Sequence, residues 1–405
     1  MEHSAQHPEQ GRLTGDQAGG PLRFPAYLRR CRQERHLSLR QVEKLSEVYP
    51  DRISNSYLAY CETGRLLPSL GKLMTLSKVL GIPLQSFTER LELDREALPG
   101  LAPGEGSTWA QAREAGIAAA DAGRLPAAFA CFEKALALLN GDSLEAYVDL
   151  RLDIAVVLKR MSRHYTAREI LEEVLSDKTI SACRLERALL QLGGVLREMG
   201  KLPIAVMVAR EALARAETMG DKPKEGHAAS LLANSLYDLG CFEEAAPIYH
   251  RAVRAFRDLG DHSSLACNMA NLGNCLVAQG HFTEGIRSLR EAEALAECKG
   301  FTRQLADIGS YLGKAWQKQG SITRAERSFF ASNAIARAGD YSDILFTNTW
   351  HLREIALKAE RMTDAADHMR SLRYFRTRVD NTNSEIRAYD RLTNALDDDS
   401  RETSS

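Results

Sequence analysis

Residues 231–261, LLANSLYDLGCFEEAAPIYHRAVRAFRDLGD, place a small residue (Ala233) seven positions before a glycine (Gly240), then a second small residue (Ala245) and a bulky one four places on (Tyr249). The plan returns in NLGNCLVAQGHFTEGIRSLREAEALAECKG at 271–300 and in YLGKAWQKQGSITRAERSFFASNAIARAGD at 311–340. Each unit reads as two helices that meet at a glycine turn, because glycine enters the left-handed backbone without a steric penalty. The second small residue recurs as Ala128, Ala167, Ala205, Ala245, Gly285, Ala325 and Ala365, at separations of 38 to 40 residues. A fixed period in this range signals stacked supersecondary units. The first helices carry their own small series, Gly116, Ala155, Gly193, Ala233, Gly273 and Gly313, which lets helices approach closely. The bulky series, Phe132, Leu171, Tyr249, Leu289, Phe329 and Met369, is expected to fill the gap toward the next repeat.

These motifs resemble tetratricopeptide (TPR) repeats of the longer, 40-residue kind, over residues 108–375. The resemblance implies a right-handed superhelix of about seven helix pairs, with a concave wall made by the first helix of each pair. The seventh unit, LREIALKAERMTDAADHMRSL, departs from the pattern at Arg353 and Glu360 and leads into an expected capping helix at 376–396. By the repeat register the wall holds Gln191, His227, Ser230, Asn234, Asn271, Asn274, Asp307, Lys314, His351 and Glu354. Asn234 and Asn274 occupy equivalent positions in successive repeats, and Asn271 lies one turn before the latter. Such amides both donate to and accept from an extended backbone, so the expected ligand is a peptide or a protein segment. Replacing Asn234 and Asn274 together by Ala should then abolish the response to the ligand and leave stability nearly unchanged.

Upstream of the array, residues 93–107 are rich in Pro and Gly and read as a linker. Residues 1–21 and 397–405 are polar and read as disordered tails outside the fold. Between tail and linker, residues 22–92 hold 12 Lys/Arg against 7 Asp/Glu, although the whole chain has a formal charge of -1. A basic small domain on an acidic larger one suits a nucleic-acid-binding head.

That basic segment reads as five short helices. The first spans about 25–35, with Leu28 and Cys31 inward. Ser38 and Gln41 form a capping box for the second, which starts at Leu39 and is expected to bury Val42 and Leu45. Ser54 caps a third helix from Asn55 to Thr63, ended by Gly64; Ser69 caps a fourth, ended by Gly81; a fifth covers about 85–91 and buries Phe87. The stretches LRRCRQERHLSLRQVEKLS (28–46), ISNSYLAYCETGRLLPS (53–69) and LGKLMTLSKVLGIPLQSF (70–87) resemble the Cro/repressor-type (Xre) helix-turn-helix proteins. The resemblance implies that the third helix lies in the DNA major groove. Leu58 and Cys61 face the core, leaving Asn55, Ser56, Tyr57, Ala59 and Tyr60 outward. Asn can read adenine with two hydrogen bonds, and the tyrosines can meet phosphate or a thymine methyl. Arg40, Arg52 and Arg65 are placed to grip flanking phosphates. The chain departs from the family in a longer turn, 47–53, and in Leu39, where the family often carries a DNA-contacting Gln. That contact is missing or passes to Arg40 or Gln41.

The eight cysteines form no C-x-x-C pair and read as buried, reduced thiols. The sequence lacks a phosphate-binding P-loop, a nucleophile elbow and an H-E-x-x-H zinc motif, so neither an enzyme nor a metal or cofactor site is expected. No run approaches the roughly 20 apolar residues of a membrane helix, and no secretory signal opens the chain, so a cytoplasmic protein without membrane partners is expected. Helix-turn-helix followed by TPR repeats is the layout of the peptide-pheromone receptor regulators, which this chain resembles in domain order. The resemblance implies an all-α, homodimeric transcriptional regulator that binds double-stranded DNA and a peptide. The competing reading is a TPR adaptor that docks a cellular protein and uses the helix-turn-helix for protein contacts.

Overall fold

In the computed structural model, residues 22–96, 107–139, 143–379 and 384–402 are described, and every regular element among them is an α-helix. The chain forms two compact units, residues 1–170 and 171–405. The first begins with α1 (Phe24–Glu34), α2 (Leu39–Ser46), α3 (Asn55–Glu62), α4 (Leu70–Leu80) and α5 (Leu84–Glu96). These five enclose Phe24, Leu28, Val42, Ile53, Leu58, Leu76 and Phe87. The capping box at Ser38 and Gln41 is present, and Gly64 and Gly81 take the left-handed backbone that ends α3 and α4.

Two expectations for this domain fail. Leu45 is 48 % exposed, and the residue that α2 buries beside Val42 is Ser46. The Ser46 hydroxyl donates to the Glu43 carbonyl at 2.7 Å and accepts the Ile53 amide at 2.9 Å. A polar side chain is tolerated there because it closes the long turn onto the helix and leaves no amide unpaired. The expected linker also starts too early. Helix α5 continues to Glu96, since Leu93 is buried and the Asp94 carboxylate accepts the Phe24 amide at 3.3 Å. Residues 97–106 lie outside the described residues.

Two helix pairs follow, α6 (Trp109–Asp121) with α7 (Leu125–Leu138), and α8 (Leu144–Arg160) with α9 (His164–Ser176). Within the first unit they are joined to the helix-turn-helix by polar contacts. Glu89 on α5 accepts the amides of Tyr165 at 3.0 Å and Thr166 at 2.7 Å, so it caps the start of α9. Beside it the fully buried Arg90 donates to Thr166 Oγ1 at 3.0 Å and Glu169 at 2.9 Å, while its guanidinium lies 3.5 Å from the Tyr27 ring centroid. Tyr27 completes the cluster by donating to Glu169 at 3.0 Å. Arg23 pairs with Glu133 on α7, and Arg163 with Glu92 and Glu96.

The second unit continues with α10 (Ala182–Glu198) and α11 (Leu202–Met219), α12 (Lys222–Asp238) and α13 (Phe242–Leu259), and α14 (His262–Ala278) and α15 (Phe282–Lys299). It ends with α16 (Thr302–Lys318) and α17 (Ile322–Ala338), α18 (Ser342–Lys358) and α19 (Met362–Arg376), and α20 (Ser384–Glu402). All seven small residues of the second-helix series are buried. Members of the bulky series fill space inside their own pair as well as toward the next, where Phe329 stacks on His351 and clusters with Leu352 and Ile355. A Cβ on Gly116 would meet Phe132 at 2.6 Å, one on Gly273 would meet Leu289 at 2.8 Å, and one on Gly313 would meet Phe329 at 2.5 Å. At these three positions glycine on the first helix is the socket for the side chain sixteen residues later, whereas a Cβ on Gly193 would meet Leu231 of the next pair at 2.7 Å. The turn between paired helices is left-handed throughout, with Ser162 (φ 60°) and Glu360 (φ 57°) standing where other repeats have glycine.

The capping helix starts at Ser384, with residues through Arg376 belonging to α19, and runs to Glu402 through what composition suggests is a tail. Burial of Ile386 and Tyr389 against Phe346, Trp350 and Leu372 anchors its first turns, and a helix once nucleated propagates at little cost. The cysteines also divide: Cys31, Cys61, Cys131 and Cys275 are buried thiols, but Cys183, Cys267 and Cys298 are exposed.

Candidate functional site

Helix α3 has only eight residues, too short to persist alone, so its position is imposed by its surroundings. Ser54 accepts the Tyr57 amide at 3.2 Å, and Leu58 and Cys61 are buried beneath it. At its far end the buried Glu62 receives two parallel hydrogen bonds from Arg32 on α1, both 2.7 Å, while Arg29 donates to the Glu62 carbonyl at 3.2 Å. This clamp raises the Arg32 pKa further, through the hydrogen bonds to Glu62. Its role in fixing the angle of α3 escapes a sequence reading, because a Glu near the end of a helix ordinarily faces water.

On the outer side of α3, Ser56 and Tyr60 are exposed and Asn55 and Ala59 half-buried. Ser56 donates to Asn55 Oδ1 at 3.1 Å. Tyr57 packs against the domain core, with Lys72 Nζ 5.0 Å from its ring centroid, so most of its surface serves packing. Gln41 spends its carbonyl on the Ser38 amide at 2.7 Å. Arg40, Arg52 and Arg65 are exposed and form no ion pair among the described residues. Lys72 donates to the Arg52 carbonyl and holds that turn near the start of α3. A short helix with a polar outer side, in a domain that carries three exposed, unpaired guanidinium groups, is a combination suited to a polyanion with readable edges.

In the second unit each first helix touches the first helix of the next pair, α10 to α12, α14, α16 and α18 in turn, which makes these helices the crowded inner side of the stack. Two polar clusters form there. In one, Asn234 Oδ1 accepts from Tyr249 Oη at 2.7 Å and from Asn271 Nδ2 at 3.1 Å, and Asn274 Nδ2 donates to Tyr237 Oη at 2.8 Å. Tyr311 Oη reaches Asn271 at 3.5 Å. Burial pushes the Tyr237 hydroxyl up to about 12 and Tyr249 and Tyr311 well above their ordinary value, so all three keep their protons. In the other cluster, Lys314 Nζ and His351 Nε2 both approach Glu385 Oε1, at 2.7 and 3.2 Å, and His351 Nδ1 lies 3.3 Å from Glu354.

Of the residues the repeat register puts on the wall, the structure gathers Asn234, Asn271 and Asn274 into the first cluster and Lys314, His351 and Glu354 into the second. Asp307 stands beside Arg303 and Asp343; burial pushes its carboxyl up to about 6, with Arg303 opposing and Asp343 adding to the rise. His227 joins neither cluster, since its ring sits edge-on to Phe256 at 5.1 Å. Gln191 and Ser230 are half-buried on α10 and α12. The reading from sequence omits Tyr237, Tyr311 and Glu385. Tyr311 was available to it, being 40 residues after Asn271; Glu385 belongs to no repeat and was not.

Among the described residues, no three His, Cys, Asp or Glu side chains are grouped to hold a metal ion, and no helix is long and apolar enough to cross a membrane. A helix-turn-helix family matches residues 28–87, and a tetratricopeptide repeat family matches 224–297. Among solved structures, aspartyl phosphate phosphatase F from Bacillus subtilis is 13% identical over 93% of this chain and 98% of its own, with a TM-score of 0.56. A Rap protein complexed with competence and sporulation factor is 13% identical, over 87% and 98%, with a TM-score of 0.52. PlcR from Bacillus thuringiensis, in complex with the peptide PapR7 and DNA, is 15% identical over 71% and 98%, with a TM-score of 0.43. The chain thus joins a helix-turn-helix domain to tetratricopeptide repeats.

Proposed function

We propose that this helix-turn-helix and repeat protein is a sequence-specific DNA-binding transcriptional regulator, not an enzyme, whose repeats bind a peptide that alters its hold on DNA. The observation that carries the first half is the outer side of α3, with Asn55, Ser56 and Tyr60, in a domain whose Arg40, Arg52 and Arg65 are exposed and form no ion pair among the described residues. The second half rests on the amide and hydroxyl groups gathered on successive first helices, a chemistry that can donate to and accept from a peptide backbone. The Rap protein of like fold, complexed with competence and sporulation factor, supports a ligand-binding role for such repeats. Ligand and DNA then influence one another reciprocally if they favour different conformations or oligomers of the chain, with a homodimer as the working unit in the cytoplasm.

Selection of duplexes from a random pool, followed by titration at several salt concentrations, tests the DNA half. Affinity should fall steeply with salt as Lys and Arg release counterions. Arg52→Ala should weaken every sequence alike, and Asn55→Ala should relax preference at one base pair by about 1–3 kcal/mol. Salt-independent binding, or no selected sequence at all, would favour an adaptor that uses this domain for protein contacts.

A further inference from the structure

Lys314 occupies the register position of Asn234 and Asn274 on the inner wall, one repeat further on, and His351 lies on the next first helix. The group between them comes from outside the repeats. Glu385, in the first turn of α20, brings Oε1 to 2.7 Å from Lys314 Nζ and 3.2 Å from His351 Nε2, while Oε2 accepts from Ser384 Oγ at 2.7 Å. His351 is oriented for this contact. Its ring stacks on Phe329, with centroids 5.5 Å apart and planes 1° from parallel, and Glu354 Oε2 lies 3.3 Å from its other nitrogen. Little of the pair sees solvent, with side-chain exposures of 21 % for Lys314 and 10 % for Glu385. Burial pushes the Glu385 carboxyl up, but His351 and Lys314 outweigh it and hold it below the usual carboxylate range.

We propose that Lys314 and His351 form a carboxylate-binding subsite of the repeat groove, which the chain's own Glu385 fills and for which a carboxylate on a bound peptide competes. This rests on the reading of the inner wall as a peptide groove. A half-buried ammonium is costly to leave unpaired, so the subsite demands an anion of some origin. Exchanging one carboxylate for another keeps that pairing intact, and the helix that carries Glu385 retains its separate apolar anchors, Ile386 and Tyr389. Displacement therefore frees the first turn of α20 without unfolding the stack, and an amidated or neutral ligand cannot bring it about. The groove thereby discriminates by charge and reports occupancy at the C-terminal helix.

The test uses the full-length chain and a heptapeptide pool randomised over uncharged residues, made as free acids, as C-terminal amides, and as amides with one internal Glu. Both acid-bearing pools should be retained at least about tenfold better than the amide pool by the wild type. Glu385→Gln, which removes the internal competitor, should raise that retention, and Lys314→Met should abolish the preference. Hydrogen exchange supplies a readout independent of the variants: acid-bearing pools should speed exchange at 384–390 in the wild type, and amides should not. Retention of none of the pools by wild type or Glu385→Gln overturns the groove reading and this subsite with it. Retention without regard to carboxylates, or acid-bearing peptides bound with exchange at 384–390 unchanged, overturns the subsite alone.

Discussion

Asn234 accepts the hydroxyl of Tyr249, whose side chain is buried inside the stack, whereas Asn274 gives its amide to Tyr237, which is half-buried. Equivalent positions in the repeat therefore carry unequal loads. Removing Asn234 leaves a buried hydroxyl without its acceptor, at a cost of about 1–3 kcal/mol, while removing Asn274 takes only a donor from the oxygen of the less buried Tyr237. Thermal denaturation should then show Asn234→Ala clearly destabilised and Asn274→Ala close to wild type; equal melting temperatures would refute the difference. This revises the sequence-based expectation that the pair can be removed without loss. Asp307 offers a second residue-level test. Its folded pKa of about 6 stands above the ordinary 3.8 because of burial, so the protonated form favours the fold. The stability it contributes is full at low pH and is lost as pH rises through about 6. Asp307→Asn, neutral at every pH, should flatten the stability curve between about 4 and 6, with Arg303, Lys314 and Asp343 unchanged around it. An unaltered slope would show that Asp307 is not the group responsible.

Among the elements, α3 shows how a short helix is made rigid by its neighbours. Ser54, Leu58 and Cys61 were legible in the sequence as cap and core; the Arg32–Glu62 pair was not, because nothing local in either segment marks them as partners 30 residues apart. Truncating one member leaves the other charge buried alone. Glu62→Ala should therefore cost about 3 kcal/mol in chemical denaturation, and DNA affinity should fall with it, since the angle of α3 is no longer held. A loss under about 1 kcal/mol would mean the core alone positions the helix. The same distinction explains α2, whose apolar spacing pointed to Leu45 as buried. The long turn instead needed a hydroxyl inside, and Ser46 supplies it. Helices α5 and α20 depart from their expected bounds for a related reason: Leu93 is buried, Ile386 and Tyr389 find apolar partners distant in sequence, and composition near a helix end says nothing about such burial.

On the scale of the whole molecule, the compact unit that begins the chain does not end where the helix-turn-helix pattern ends. Glu89, Arg90 and Tyr27 tie that domain to α9, so the two should melt together. Arg90→Met leaves Glu169 and Thr166 short of a donor and is expected to lower the transition of residues 22–170 by about 3 kcal/mol, with residues 171–405 little affected. Hydrogen exchange resolved by peptide would check this; loss of protection confined to 22–96 would show that the helix-turn-helix unfolds alone. The sequence by itself determined the all-helical class, the 40-residue period, the turn glycines and the outward side of α3, because each depends on residues close in the chain, where helical spacing and backbone sterics operate. Only the tertiary structure decided that Phe132, Leu289 and Phe329 seat in glycines of their own pair, that α5 caps α9, and that Glu385 meets Lys314 and His351. Those contacts depend on which surfaces meet after the helices stack, and the desolvation that gives a buried charge its demand for a partner exists only once they have done so.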